Sequence, residues 1–244
     1  MRLHMDDVTI DSLFEGRLRV KQGRDGYRFS VDAVILAHFA GLLNSEKILD
    51  LGTGCGIIPL ILSHRYESIT IHGVEIQPEL ARIAAENIRE NGLQDRIRIH
   101  CRDMKQMSRE SISGPADVVT CNPPFHRLVS GRLNPNRQRA IARHEIKVTL
   151  SEIVETAARM LRDGGRFLTV FPVARLPDML LEIRRSGMEA KILRMVHPRK
   201  NGPAKLFLLE GEKGGPPGLA EPPPLVLFRE EGGYTDEAAG MFLP

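Results

Sequence analysis

Between residues 47 and 210, short runs rich in Val, Ile, Leu and Phe alternate with segments whose apolar positions recur every three to four residues. The first kind falls at 47–51, 70–76, 96–101, 116–121, 166–171, 189–197 and 205–210 and reads as strands. Strands that alternate with amphipathic helices predict βαβ units and a mostly parallel sheet, a doubly wound α/β fold. Several runs are apolar throughout, as strands covered on both faces are, whereas 70–76 and 96–101 alternate enough for less central positions.

The helical segments carry start and stop signals as well as a period. Pro78 suits a first helical residue, Leu80, Ile83, Ala84 and Ile88 share a face, and Gly92 supplies the stop. A second helix is expected from about Ser151, with Ile153, Val154, Ala157, Ala158 and Leu161 inward, ending at Gly164 and Gly165. A third runs over 176–186 and stops at Gly187. Ahead of the core, 9–14 and 18–22 flank Glu15-Gly16-Arg17 as a hairpin, and Ser30 caps a helix whose inward stripe includes Val34, Ile35 and His38. His38 reads there as a satisfied core histidine. After Gly211 the chain turns Gly- and Pro-rich, a linker that leads to a short strand at 225–228. The pattern divides the chain into 1–44 (hairpin and helix), 45–210 (core) and 211–244 (linker and terminal strand).

Composition narrows the class further. A chain of 244 residues with 42% hydrophobic content supports one sizeable core. The first residues lack an apolar run of signal-peptide length, and the longest apolar stretch, 56–62, is far too short to span a membrane. The expectation is a cytoplasmic, monomeric protein with no membrane partner. Cys55, Cys101 and Cys121 are too few and too widely spaced for a disulfide framework or a zinc site, so they read as small buried fillers and no metal is expected.

Asp50-Leu51-Gly52-Thr53-Gly54-Cys55-Gly56 follows the first core strand and opens a helix. Glycines there let the backbone turn tightly and approach a ligand at the carboxyl edge of the sheet. A dinucleotide loop would read G-x-G-x-x-G, but this one reads G-x-G-x-G with an acid two positions ahead of the first glycine. That acid suits a ligand with positive charge and no phosphate, such as the ammonium and sulfonium of S-adenosylmethionine. Glu75 ends the second strand, where a carboxylate can accept from both ribose hydroxyls. Asp103, after the third strand, can accept from an adenine amine, with Ile76 and Met104 as apolar contacts to the ring.

The fourth strand ends in Asn122-Pro123-Pro124-Phe125 and delivers it to the same edge. By itself this is also a rigid turn. Beside a methyl donor it fits a specific need, because an amine on a heteroaromatic ring, or an amide nitrogen, has a delocalised lone pair. The Asn122 side-chain oxygen and the Pro123 carbonyl can each accept one N–H and favour a pyramidal nitrogen, while the Phe125 ring stacks on the flat substrate.

These motifs resemble those of the N-methyltransferases with an Asn-Pro-Pro-aromatic signature. The stretch 23–33, the segment 143–150 and Gly233-Tyr234-Thr235-Asp236-Glu237 further resemble the bacterial tRNA-Val adenine-N6 methyltransferases, so the likeness covers nearly the whole chain. It implies a seven-stranded sheet with the last strand antiparallel, places Phe29 and Asp32 near the cofactor, and makes tRNA, beside its anticodon, the substrate. Phe125 stands where many relatives have Tyr, which keeps the stacking and loses a hydroxyl.

Charge supports an RNA partner. Net charge is only +3, but 127–147 holds six Lys or Arg residues against one acid, and 194–205 holds four with no acid. Arg127, Arg132, Arg137, Arg139, Arg143, Arg199 and Lys200 are thus candidate phosphate contacts, around a pocket that would take a splayed-out base. Three alternatives share parts of this pattern: a glutamine-N5 methyltransferase of release factors, a guanine-N2 methyltransferase of ribosomal RNA, and a non-catalytic RNA-binding adaptor. The first usually carries an N-terminal helical domain unlike the hairpin here, and the last is disfavoured by an intact donor loop and tetrapeptide.

Overall fold

A computed structural model describes residues 8–23, 30–43, 45–123 and 148–243. Phe29, Pro124, Phe125, Arg127, Arg132, Arg137, Arg139 and Arg143 lie outside the described residues. The N-terminal hairpin pairs β1 (Val8–Leu13) with β2 (Leu18–Gly23). The main sheet holds β3 (Lys47–Leu51), β4 (Thr70–Glu75), β5 (Ile97–Cys101), β6 (Ala116–Cys121), β7 (Leu161–Pro172), β8 (Met188–Arg199), β9 (Leu206–Lys213) and β10 (Leu225–Phe228). Their order is β10-β8-β9-β7-β6-β3-β4-β5, and every neighbouring pair is parallel except the two made by β9.

Helices cover both faces, as doubly wound folds require. On one face α1 (Val31–Phe39), α2 (Ile57–Arg65) and α3 (Pro78–Glu90) pack with the hairpin through Phe14, Val20, Ile35, Leu60 and Ile83. On the other, α4 (Leu150–Met160) and α5 (Leu176–Arg185) cover Leu49, Leu51 and Val119 with Ile153, Val154 and Ile183. The short α6 (Asp236–Gly240) brings Ala238 into the first of these cores, beside Leu225 and Leu227 of β10. Among the described residues, no helix is long and apolar enough to cross a membrane.

The alternating runs at 70–76 and 96–101 occupy the last two positions of the sheet, as their polarity foretold. The seven expected strands form with the seventh, β9, antiparallel, but the sheet has eight, because Leu225–Phe228 extends it as an edge strand parallel to β8. Two boundaries also moved. Leu161 was expected at the end of a helix; its backbone is extended (φ −68°, ψ 144°) and pairs with Ala116, and after an irregularity the strand resumes at Arg166 opposite Val118. Gly211 was expected to open the linker, but it is a buried position of β9, paired with Phe167 on one side and Ala190 on the other.

Two side-chain expectations need correction. Cys55 and Cys121 are buried fillers, but Cys101 is exposed at the end of edge strand β5. His38 is half-buried rather than fully in the core: Nδ1 accepts from the Arg65 guanidinium, and the backbone of Met241 stands by the ring.

For function, the parallel strands bring the carboxyl ends of β3 to β8 and of β10, β9 excepted, to one rim. α2 and α3 supply two of the crossovers. Between β5 and β6 the chain makes only two short 3-10 turns, Met104–Gln106 and Arg109–Ile112.

Candidate active site

The loop after β3 is built on β4. The amides of Gly52 and Thr53 both donate to the Val74 carbonyl at 2.9 Å, and that of Gly54 donates to Glu75 Oε2 at 3.0 Å. Gly52, Gly54 and Gly56 have φ of +73°, +58° and +83°, a region that residues with a Cβ enter at a penalty of about 1–2 kcal/mol each. Gly73 matters for close approach instead, since a Cβ there would lie 3.0 Å from Thr53 Oγ1 and 2.9 Å from Ile99 Cδ1. The other Glu75 oxygen accepts from the Gln77 amide at 2.9 Å, so this carboxylate braces the loop and the start of α3 together. Burial pushes the Glu75 carboxyl above its usual range, against the pull of these amides.

Asp50 is 1% exposed. Its Oδ1 accepts from Thr120 Oγ1 at 2.7 Å; its Oδ2 and the neighbouring Thr53 hydroxyl make no hydrogen bond of normal geometry among the described residues. Burial lifts its pKa to about 6; the hydroxyls of Thr53 and Thr120 oppose the rise, and the neighbouring Glu75 adds to it. A buried acceptor left open beside a glycine loop is the arrangement a cationic ligand would complete. The ammonium and sulfonium of S-adenosylmethionine fit it; a phosphate does not.

Beside this loop, three buried side-chain bonds lock the end of β6. Thr120 reaches Asp50, Cys121 Sγ donates to the Leu51 carbonyl at 3.2 Å, and Thr169 Oγ1 of β7 donates to the Cys121 carbonyl at 2.8 Å. With Leu51 opposite Cys121 in the register, Asn122 leaves the sheet next to Gly52. Asn122 is half-buried and Pro123 buried. Burial also raises the Cys55 thiol to about 12, which makes the one cysteine inside the loop inert as a nucleophile.

The remaining expected residues distribute as follows. Asp103 caps the first 3-10 turn through the Lys105 amide at 2.9 Å, with Met104 packed against the core beside it. Ile76 is half-buried just past Glu75. Asp32 sits in the first turn of α1, its carboxyl raised by burial. Arg199 and Lys200 are exposed where β8 ends, on the same rim. Asp50, Gly52, Thr53, Gly54, Glu75, Asp103 and Asn122 therefore fall on four adjacent strand ends, β6-β3-β4-β5.

Sequence reasoning missed the bracing residues. Thr120 and Thr169 were visible only as polar positions in mostly apolar strands, 116–121 and 166–171, which also hold Asp117 and Arg166. Asn87, fully buried on α3, was not: it accepts from the Lys21 amide at 2.8 Å and donates to the Cys55 carbonyl at 2.9 Å, tying the hairpin to the loop. Its spacing from Ile83 and Leu80 was the only signal.

The fold is that of the Rossmann-like methyltransferases, and the rim presents the acceptors that a methyl donor such as S-adenosylmethionine would need. Residues 31–179 match the family described as methyltransferase small domain, and the chain belongs to it. An enzyme of Porphyromonas gingivalis described as tRNA1(Val) (adenine(37)-N6)-methyltransferase is 34% identical over 171 residues, 68% of this chain and 66% of its own length. One of the same description from Tolumonas auensis is 26% identical over 223 residues, 91% of this chain and 90% of the relative. The chain thus spans just under two thirds of the first relative and most of the second. A solved structure of a predicted O-methyltransferase from Agrobacterium tumefaciens superposes with a TM-score of 0.68 at 19% identity, covering 86% of this chain and 94% of that one, which shows a common fold.

Proposed function

We propose that this chain methylates the N6 amine of an adenine in tRNA, beside the anticodon. The observation that carries the reading is the bond between Thr120 and Asp50, which fixes the exit of β6 against the open carboxylate. It sets the Asn122 amide and the Pro123 carbonyl beside the loop that would hold the donor. The likeness to the Porphyromonas gingivalis and Tolumonas auensis enzymes supports the choice of acceptor.

Bound S-adenosylmethionine would supply a sulfonium methyl, already an activated electrophile. Asp50 Oδ2 would face its positive end, Glu75 the ribose, and Asp103 with Ile76 and Met104 the adenine. Asn122 Oδ1 and the Pro123 carbonyl would each accept one N–H of the target amine, which localises the lone pair toward the methyl. Transfer to that nitrogen would form the N–C bond as the donor's S–C bond breaks, and the nitrogen would then lose one proton to water. In-line positioning rather than a general base would supply most of the acceleration. Phe125 would stack on the base, and Arg199 and Lys200 would meet phosphates.

The test is transfer of labelled methyl from the donor to separate pools of tRNA, ribosomal RNA and release factor. Label should enter tRNA and be recovered as N6-methyladenosine on nucleoside mass spectrometry. Recovery as guanine N2 or glutamine N5 methylation would refute the reading.

A further inference from the structure

The rim has a second cationic flank that the clusters at 127–147 and 194–205 do not include. It runs along β5, the last strand of the sheet. Ile97 and Ile99 point into the core under α3, so the alternate residues Arg98 and His100 belong to the opposite face, and Arg102 follows just past the strand's carboxyl end. Arg98 and Arg102 are exposed, and neither makes an ion pair among the described residues. Many other arginines are committed: Arg96 holds the carbonyls of Ser63, Tyr66 and Glu67, and Arg166 pairs with Glu46 and Glu210.

Next to this row stands His72 of β4, whose Nδ1 lies 2.9 Å from His100 Nε2, with the two rings stacked. Burial first lowers both imidazoles, His72 to about 4; His100, Lys47 and Arg98 add to the effect on His72, and Arg102 and Arg98 to that on His100. The face is open because only the two 3-10 turns, and no full crossover helix, connect β5 to β6. Charged side chains on an edge strand also discourage strand pairing. That purpose is served by either sign, whereas the two exposed charges here, Arg98 and Arg102, are both cations.

We infer that Arg98 and Arg102 form a second phosphate-binding strip, which grips the substrate RNA away from its target base. The inference rests on RNA being the substrate. β6, which delivers Asn122, stands midway between two cationic flanks. Arg199 and Lys200 leave β8 three strand positions to one side, and Arg102 leaves β5 three positions to the other, ~14 Å each way at normal strand spacing. The Arg102 amide donates to the Glu75 carbonyl at 3.0 Å, so the strip begins at the edge of the donor cradle and leads away from it. An RNA with its target base at Asn122 and its backbone across the cradle would reach it; a fragment reduced to the target loop would not.

The test uses the full chain with Arg98→Glu and Arg102→Glu combined, and the milder pair Arg98→Ser and Arg102→Ser. S-adenosylhomocysteine binding in the same samples reports the integrity of the fold. The charge reversal should weaken binding of full-length tRNA tenfold or more and lower the log–log salt slope by about 2. It should raise KM for tRNA while kcat stays the same, and leave a short anticodon stem-loop almost unaffected; the serine pair should show the same pattern at smaller amplitude. Unchanged tRNA affinity and slope in the reversed variant would overturn the inference, as would loss of binding to phosphatidylserine vesicles with tRNA binding intact. If the wild type binds tRNA through this strip but leaves it unmethylated, the strip stands and the proposed function falls.

Discussion

Asn122→Ala should lower kcat by about 10²- to 10³-fold, the usual effect of removing one preorganised polar group from a transition state. The Asn122 oxygen would act most strongly once the amine turns pyramidal, so its loss should appear in kcat with little change in KM for tRNA. Donor binding by calorimetry should be retained, because the buried bonds of Thr120, Cys121 and Thr169 hold the strand end without it. Asn122→Asp keeps an acceptor oxygen and should recover part of the rate. Unchanged turnover in the alanine variant would remove Asn122 from the chemistry.

Asp50→Asn should separate stability from function. The folded pKa of about 6 lies above the ordinary carboxylate value of 3.8, so the ionised Asp50 destabilises the fold progressively as pH rises between those values. Above about pH 6 the penalty is complete, ~3 kcal/mol at 1.36 kcal/mol per unit. Asparagine keeps an acceptor for Thr120 and carries no charge. The ligand-free variant should therefore resist denaturant better than the wild type at pH 7, by about 1–3 kcal/mol, and the advantage should disappear toward pH 4. Donor affinity should fall at least tenfold at pH 7, since the open carboxylate is the charge that would meet the ammonium. In the wild type, donor affinity should decline as pH drops through about 6. A variant that is less stable at pH 7 yet binds donor normally would contradict this role.

Much of this architecture could be read from the chain because local pattern and long-range packing agree. Runs buried on both faces were apolar, runs near the edge alternated, and the punctuation around Pro78 and Gly92 matched α3. The errors arose where distant pairing overrode local signals. Gly164 looked like a helix stop, but Leu161 had already paired with Ala116; Gly211 looked like linker, but strands on both sides hold it. The loop acids and Asn122 stood out because their chemistry is unusual at strand ends. Gly73 and Asn87 did not, and Thr120 and Thr169 showed only as polar positions in mostly apolar strands, because the roles of all four depend on partners 20 to 70 positions away that only the fold brings near.

The edge-strand arginines illustrate the same limit. In sequence Arg98 and Arg102 are ordinary charges in an alternating run. They gain meaning only from the order of the sheet, which puts them opposite Arg199 and Lys200 with Asn122 between.

The most direct measurement is a crystal structure with S-adenosylhomocysteine and an adenine-bearing RNA bound. The sulfur atom should lie between the Gly52–Gly54 loop and Asn122, with the amino group at Asp50 and the adenine N6 within hydrogen-bond reach of Asn122 Oδ1. A ligand bound away from this rim, or an Asn122 side chain turned from the base, would contradict that placement.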